Sequence, residues 1–245
     1  MEGSDTKGME SFFLLINNFG FFLCIIIVAI NLFGIFLRKQ FKKKIFFKNG
    51  KVIHNNDWAY NFTTLKDLTE KVNYNMIHFK RMPKSNCTFF ENYFLYILSF
   101  LPFNHFKDYE FYNIKRILDI GYGWCSQFSI LVHLCLKKKG INSRIIGFKG
   151  HVLVHACMNK KDFLLDPDYG IILKIHPKNI KKSIKKVIFQ YKKGNVTKKK
   201  LIQLEKIYKS EFESVPDKVI KRNIFIEETS YFIKWFLPIS LIIIF

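Results

Sequence analysis

The chain has 245 residues, 49% of them hydrophobic, enough for one ordinary domain with a sizeable core plus additional segments. Its 40 Lys and Arg against 19 Asp and Glu leave a net charge of +21, which fits an anionic partner, either a membrane surface or a nucleic acid, or else a lysine-rich solvated face. No zinc-finger spacing or RNA-binding aromatic motif accompanies the charge, which disfavours nucleic acid. Five cysteines without a CxxC pair exclude a disulfide framework or a metal knuckle and suit a reducing compartment.

Residues 1–10 are polar and read as a disordered tail. Residues 19–37, FGFFLCIIIVAINLFGIFL, carry no charge and are about long enough to cross the hydrocarbon core as a helix. A signal peptide has other flanks: here the preceding residues are slightly acidic, and the basic cluster from Arg38 to Lys44 stands where a small-residue cleavage site would be. The positive-inside rule keeps that cluster in the cytoplasm. Residues 1–45 are therefore expected to hold a tail, a transmembrane helix and a basic juxtamembrane cluster, a single-pass anchor with the rest of the chain cytoplasmic.

Residues 46–176 have a globular pattern. Thr64-Leu65-Lys66-Asp67 resembles a capping box, and Leu65, Leu68, Val72 and Met76 follow at helical spacing. The aromatic-rich run 89–101 reads as a core helix ending at Pro102. After Cys125, the residues Phe128, Leu131, Val132, Leu134 and Cys135 give a helix one buried face, and Gly140 can end it. Three short β-rich runs follow, at 143–148, 151–158 and 162–165, with turns at Lys149-Gly150 and Asn159-Lys160-Lys161. Residues 177–230 are lysine-rich, with Ile184, Val187 and Ile188 between lysine pairs. They read as a basic amphipathic helix on an anionic lipid surface, or as a solvated helix face. Residues 231–245 form a short apolar segment interrupted by Lys234 and Pro238.

Three residues in this order carry chemistry: Cys125 at a helix start, His151 opening a strand in GHVLVHACM, and Asp166 closing another in FLLDPDYG. A helix N-terminus offers positive potential and free backbone N–H groups. These favour a thiolate and can hold the oxyanion formed when it attacks a carbonyl. A His moves the proton, and a carboxylate fixes the imidazole tautomer.

The segments 123–136 (GWCSQF onward), 140–147 (GINSRIIG), 151–154 (HVLV) and 164–167 (LLDP) resemble the core of the transglutaminase-like superfamily, which are papain-fold cysteine enzymes. The resemblance spans residues 114–170, and the four motifs are specific together rather than singly. It implies an α+β fold, a papain-like core with a central helix packed on a small antiparallel sheet. It also implies a Cys125–His151–Asp166 triad. Leu153 stands where the family often has an aromatic residue, and His155 where it often has an acidic one. Trp124 and His155 are the expected substrate contacts.

The residues leave some alternatives open. His155, on the same strand face as His151, could be the working His. Asp168 could replace Asp166. His151, His155 and Cys157 could bind a metal, but their strand spacing makes no familiar site, so no metal and no cofactor is expected. His54, His78, His105, His133 and His176 have no comparable company. The expected chemistry is thiol-dependent acyl transfer or hydrolysis on a peptide or other amide-bearing substrate, as in a cysteine peptidase, an amidase or a transglutaminase-like acyltransferase. The rivals are a catalytically silent binding module of the same fold and a membrane-associated scaffold.

Overall fold

The structure, a computed structural model, describes residues 3–48, 56–78, 87–101 and 110–244. Mixed α and β elements occur among them, and the chain divides into two units: residues 1–41, 84–109 and 225–245 in one, residues 42–83 and 110–224 in the other.

The first unit holds most of α1 (Gly3–Lys48), α3 (Tyr93–Leu98) and the greater part of α8 (Asp217–Ile244). Helix α1 begins at Gly3, so residues 3–10, expected to be disordered, are helical. Within it Asn18–Gln40 is long and apolar enough to cross a membrane, with a mean hydropathy of 2.7 over its most apolar stretch. Cys24, Asn31 and Gly34 make its buried face, while Phe19, Phe22, Ile26 and Phe36 are exposed. Gly34 is required by a close approach: a Cβ there would lie 1.7 Å from the carbonyl oxygen of Phe90.

The 89–101 run is a shorter helix than expected, because Asn92 caps it by accepting from Leu95 N at 3.2 Å. Only Leu95 of its large apolar residues is fully buried; Phe89, Phe90, Ile97 and Phe100 are exposed, against the expectation of a core helix. Pro102 and His105 lie outside the described residues. Lys234 does not interrupt the C-terminal segment. It is 2% exposed, its ammonium donates to Glu91 O at 2.5 Å, and α8 runs through it and Pro238. Arg38 of the basic cluster pairs with Glu91 at 2.9 Å.

The second unit contains the sheet. Thr64 caps α2 (Leu65–Asn75) by accepting from Asp67 N at 3.0 Å, and the Asp67 carboxylate accepts in turn from Thr63 N, one residue earlier than a capping box requires. β1 (Ile77–His78) pairs in parallel with β2 (Tyr122–Gly123), which follows α4 (Ile114–Ile120) and leads into α5 (Cys125–Lys138). Then come β3 (Asn142–Phe148), β4 (His151–Met158), β5 (Lys161–Asp166) and β6 (Ile171–Leu173), all antiparallel neighbours. β7 (Phe212–Ser214) closes the order β6-β5-β4-β3-β7. The three expected strands and their turns are present. Asn159 and Lys160, at φ 52° and 59°, supply the left-handed pair of a tight hairpin turn.

Helix α5 packs on β3 and β4. Ile146, Leu153, Leu164 and Leu173 pack with Val187 and Tyr191 of α6 (Ile184–Lys193) and with Leu204 and Tyr208 of α7 (Lys198–Tyr208). The lysine-rich segment is thus part of the sheet unit. Of the two readings of that segment, the arrangement matches the solvated helix face: Val187 is buried in the core, Ile184 and Ile188 pack against it, and Lys185 and Lys186 are exposed.

Candidate active site

Helix α5 starts where two glycines allow a sharp return of the chain. Gly121 ends α4 in the left-handed region, at φ 71°. Gly123 lies directly against Gln127, whose Cβ would be 2.5 Å from a Cβ at position 123. Buried Gln127 accepts from Phe111 N at 2.9 Å and donates to Phe111 O at 2.7 Å, which ties the preceding strand of chain to the first turn. Ser126 adds a bond to Glu110.

Trp124 is the extended N-cap and gives no side-chain capping bond. The first helical bond runs from Phe128 N to Trp124 O, so the N–H groups of Cys125, Ser126 and Gln127 have no acceptor within the helix. Cys125 stands at this positive end, partly exposed.

His151 opens β4 and Asp166 closes β5. Their side chains meet at 2.7 Å, His151 Nε2–H donating to Asp166 Oδ2, with 5% and 1% of the two side chains exposed. Cys125 lies close enough to the same imidazole to help raise its pKa. With Nε2 committed to the carboxylate, Nδ1 is the nitrogen left for sulfur. Burial works against a charged His151, but the charge and hydrogen bond of Asp166, helped by Cys125, outweigh it and hold the ring well above its usual pKa. That favours the imidazolium, the form a thiolate partner needs.

Asp166 is in turn held by groups the sequence did not suggest. Tyr191 donates to its Oδ2 at 2.6 Å, Tyr208 to the same oxygen at 3.4 Å, and Asp168 N to Oδ1 at 3.1 Å. Burial first, and then the Asp166 charge, push both phenols well up, so they stay neutral donors. Tyr169 sets its ring edge-on to His151, centroids 5.8 Å apart. The only sequence signal for this wall was Tyr191 and Tyr208 on the apolar stripes of α6 and α7.

The three expected triad members are thus brought together. Trp124, 48% exposed, adjoins Cys125. His155 is four residues along β4, about 13 Å at strand spacing. It donates from Nε2 to Asp162 at 2.7 Å and accepts at Nδ1 from Arg144 Nε at 3.0 Å. Asp168, the alternative His151 partner, instead meets His78 through its Oδ1. So His78 is not without company, and neither is His176.

Among the described residues one group could hold a metal ion: His155, Asp162 and His176, whose ligand atoms lie within 4.8 Å of one another. This is not the His151, His155 and Cys157 set weighed from the sequence. Both of its rings use Nδ1 as an acceptor, from Arg144 and from Lys178 N, which puts their protons on Nε2. Lys161, Lys174, Lys182 and Lys186 line the cavity beside it, so the surroundings favour an anion over a cation.

Compared with known proteins, the chain matches no family model, no curated protein and no solved structure.

Proposed function

We propose that the protein is a membrane-anchored, thiol-dependent acyl-transfer enzyme with a transglutaminase-like, papain-like core, acting on a peptide or other amide from the cytoplasmic side. One observation carries this reading: buried His151 is hydrogen-bonded to buried Asp166, and Cys125, at the uncapped start of a helix, acts on the same imidazole.

In this reading the thiol proton passes to His151 Nδ1, and Asp166 stabilises the imidazolium that results. The thiolate adds to the amide carbonyl carbon, a C–S bond forms, and the carbonyl π pair moves to oxygen. His151 returns its proton to the departing nitrogen as the C–N bond breaks, which leaves a thioester. Water then gives hydrolysis, and an amine gives transamidation. The partial exposure of Cys125 lets substrate reach the sulfur.

The test is the alkylation rate of Cys125 against pH, followed by mass spectrometry in wild type and His151→Ala. The expected result is reaction well below the free-thiol pKa of about 8.5 that His151→Ala abolishes. A Cys125 as slow as buried Cys135, whose thiol burial pushes up to about 12, would favour a silent binding module instead.

A further inference from the structure

A second His–Asp pair, His78 with Asp168, lies against the turn that leads into α5, and the proposed triad chemistry does not use it. The β1–β2 register places His78 directly opposite Gly123, two residues before Cys125. The His78 ring lies edge-on to Phe128, centroids 6.2 Å apart. Phe128 is at i+3 from Cys125, so the two share one face of the first turn of α5. His78 Nδ1 is bonded to Asp168 Oδ1, and the side chain of Asp168 is only 10% exposed. Asp168 is itself fixed: Asn73 donates to its carbonyl at 2.6 Å, and its N–H is bonded to Asp166. One short turn, 166–168, therefore supplies a carboxylate to each of two imidazoles. With Nδ1 taken, Nε2 is the nitrogen His78 has left to offer, on a side chain 37% exposed.

We propose that His78 is a catalytic hydrogen-bond donor for the oxyanion, its Nε2–H acting together with the backbone N–H groups at the start of α5. This rests on the acyl-transfer reading above. In the step concerned, the Cys125 thiolate bonds to the carbonyl carbon and the π pair moves to oxygen. His78 Nε2–H then donates to that oxygen without giving up its proton. Asp168 orients the ring and keeps the donor facing outward. His151 alone handles the transferred proton.

Two reagents separate this role from others. p-Nitrophenyl acetate acylates a thiolate through a tetrahedral oxyanion, and nitrophenolate departs without needing an acid. Iodoacetamide alkylates the same sulfur by displacement and forms no oxyanion. Both rates are measured at Cys125 on the full chain in detergent, for wild type, His78→Ala, His78→Gln and Asp168→Asn, with the thermal midpoint of each variant as a folding control. The expected result is that His78→Ala slows acylation by about 10²-fold or more while alkylation is unchanged. Gln, which keeps an N–H, restores part of the rate, and Asp168→Asn gives an intermediate loss. Equal slowing of both reactions would make His78 a support of the thiolate or of the fold and overturn the assignment; so would no slowing of either. If wild-type Cys125 is inert to both reagents, the acyl-transfer reading itself falls, and this assignment with it.

Discussion

Tyr191 donates its hydroxyl to Asp166 Oδ2 at 2.6 Å, from a helix 25 residues further along the chain, and the same oxygen receives the His151 proton at 2.7 Å. The lysine-rich segment therefore helps hold the His151–Asp166 pair. A buried hydrogen bond to a charged acceptor contributes about 1.5–3 kcal/mol. Tyr191→Phe should destabilise the protein by that amount in a denaturant titration. Tyr208→Phe should cost less, because the Tyr208 hydroxyl donates mainly to the Tyr191 hydroxyl at 2.5 Å, a neutral acceptor, and lies 3.4 Å from the Asp166 carboxylate. Equal costs for the two, or none for Tyr191→Phe, would mean that the hydroxyls do not hold the carboxylate.

The His151–Asp166 pair ties stability to pH. The folded pKa of His151 lies above its unfolded value of 6.5, so the folded state binds the proton more tightly. The pair's contribution is complete below pH 6.5 and is lost as pH rises through the folded value. The stability gap between wild type and His151→Ala should therefore be widest below about pH 6.5 and shrink on the alkaline side. The cavity left by Ala adds a term that does not change with pH. A gap that is flat with pH would show that His151 carries no extra proton in the fold.

Much of the sheet unit was legible in the sequence because its signals are local. Thr64 with Asp67, the β-rich runs of β3 to β5, and the apolar face of α5 each follow from short-range pattern. Cys125, His151 and Asp166 stand at element ends, where their spacing is readable. The pairs β1–β2 and β3–β7 were not readable. Each is two or three residues long and joins segments far apart in the chain, 45 positions for His78 against Gly123 and 64 for Phe148 against Phe212. His78 therefore looked isolated, although the fold sets it opposite Gly123 and bonds it to Asp168. Tyr191 and Tyr208 were hidden for another reason: lysine pairs suggested a surface, and a stripe of one buried residue per turn is the same for a membrane as for a core.

The turn before Cys125 has its own requirement. A methyl at Gly123 would sit 2.5 Å from Gln127 Cβ, far inside van der Waals contact. Gln127 cannot move without breaking its two bonds to Phe111. Gly123→Ala should therefore cost about 1–3 kcal/mol by overpacking, and it should displace Cys125. The expected outcome is a lower thermal midpoint together with slower alkylation of Cys125. A variant with unchanged midpoint and unchanged alkylation would show that the turn has room.

The anchor and the lysine-rich face can be separated by experiment. Asn18–Gln40 presents exposed apolar side chains, Ile26 among them at 53% exposure, which distinguishes it from the buried helix of a soluble core. An Arg near the middle of a span costs about 2.5–3.5 kcal/mol on insertion scales. Surface attraction between lysines and anionic lipid is instead electrostatic and yields to salt. Wild type should stay in the membrane pellet through a carbonate wash, and Ile26→Arg should release a substantial share into the supernatant. Reversing Lys181, Lys182, Lys185 and Lys186 to Glu should leave the carbonate-washed pellet unchanged, because the apolar side of that segment is already buried against the sheet. Full release of wild type, or release by the lysine reversals alone, would assign attachment to the basic face and not to the helix.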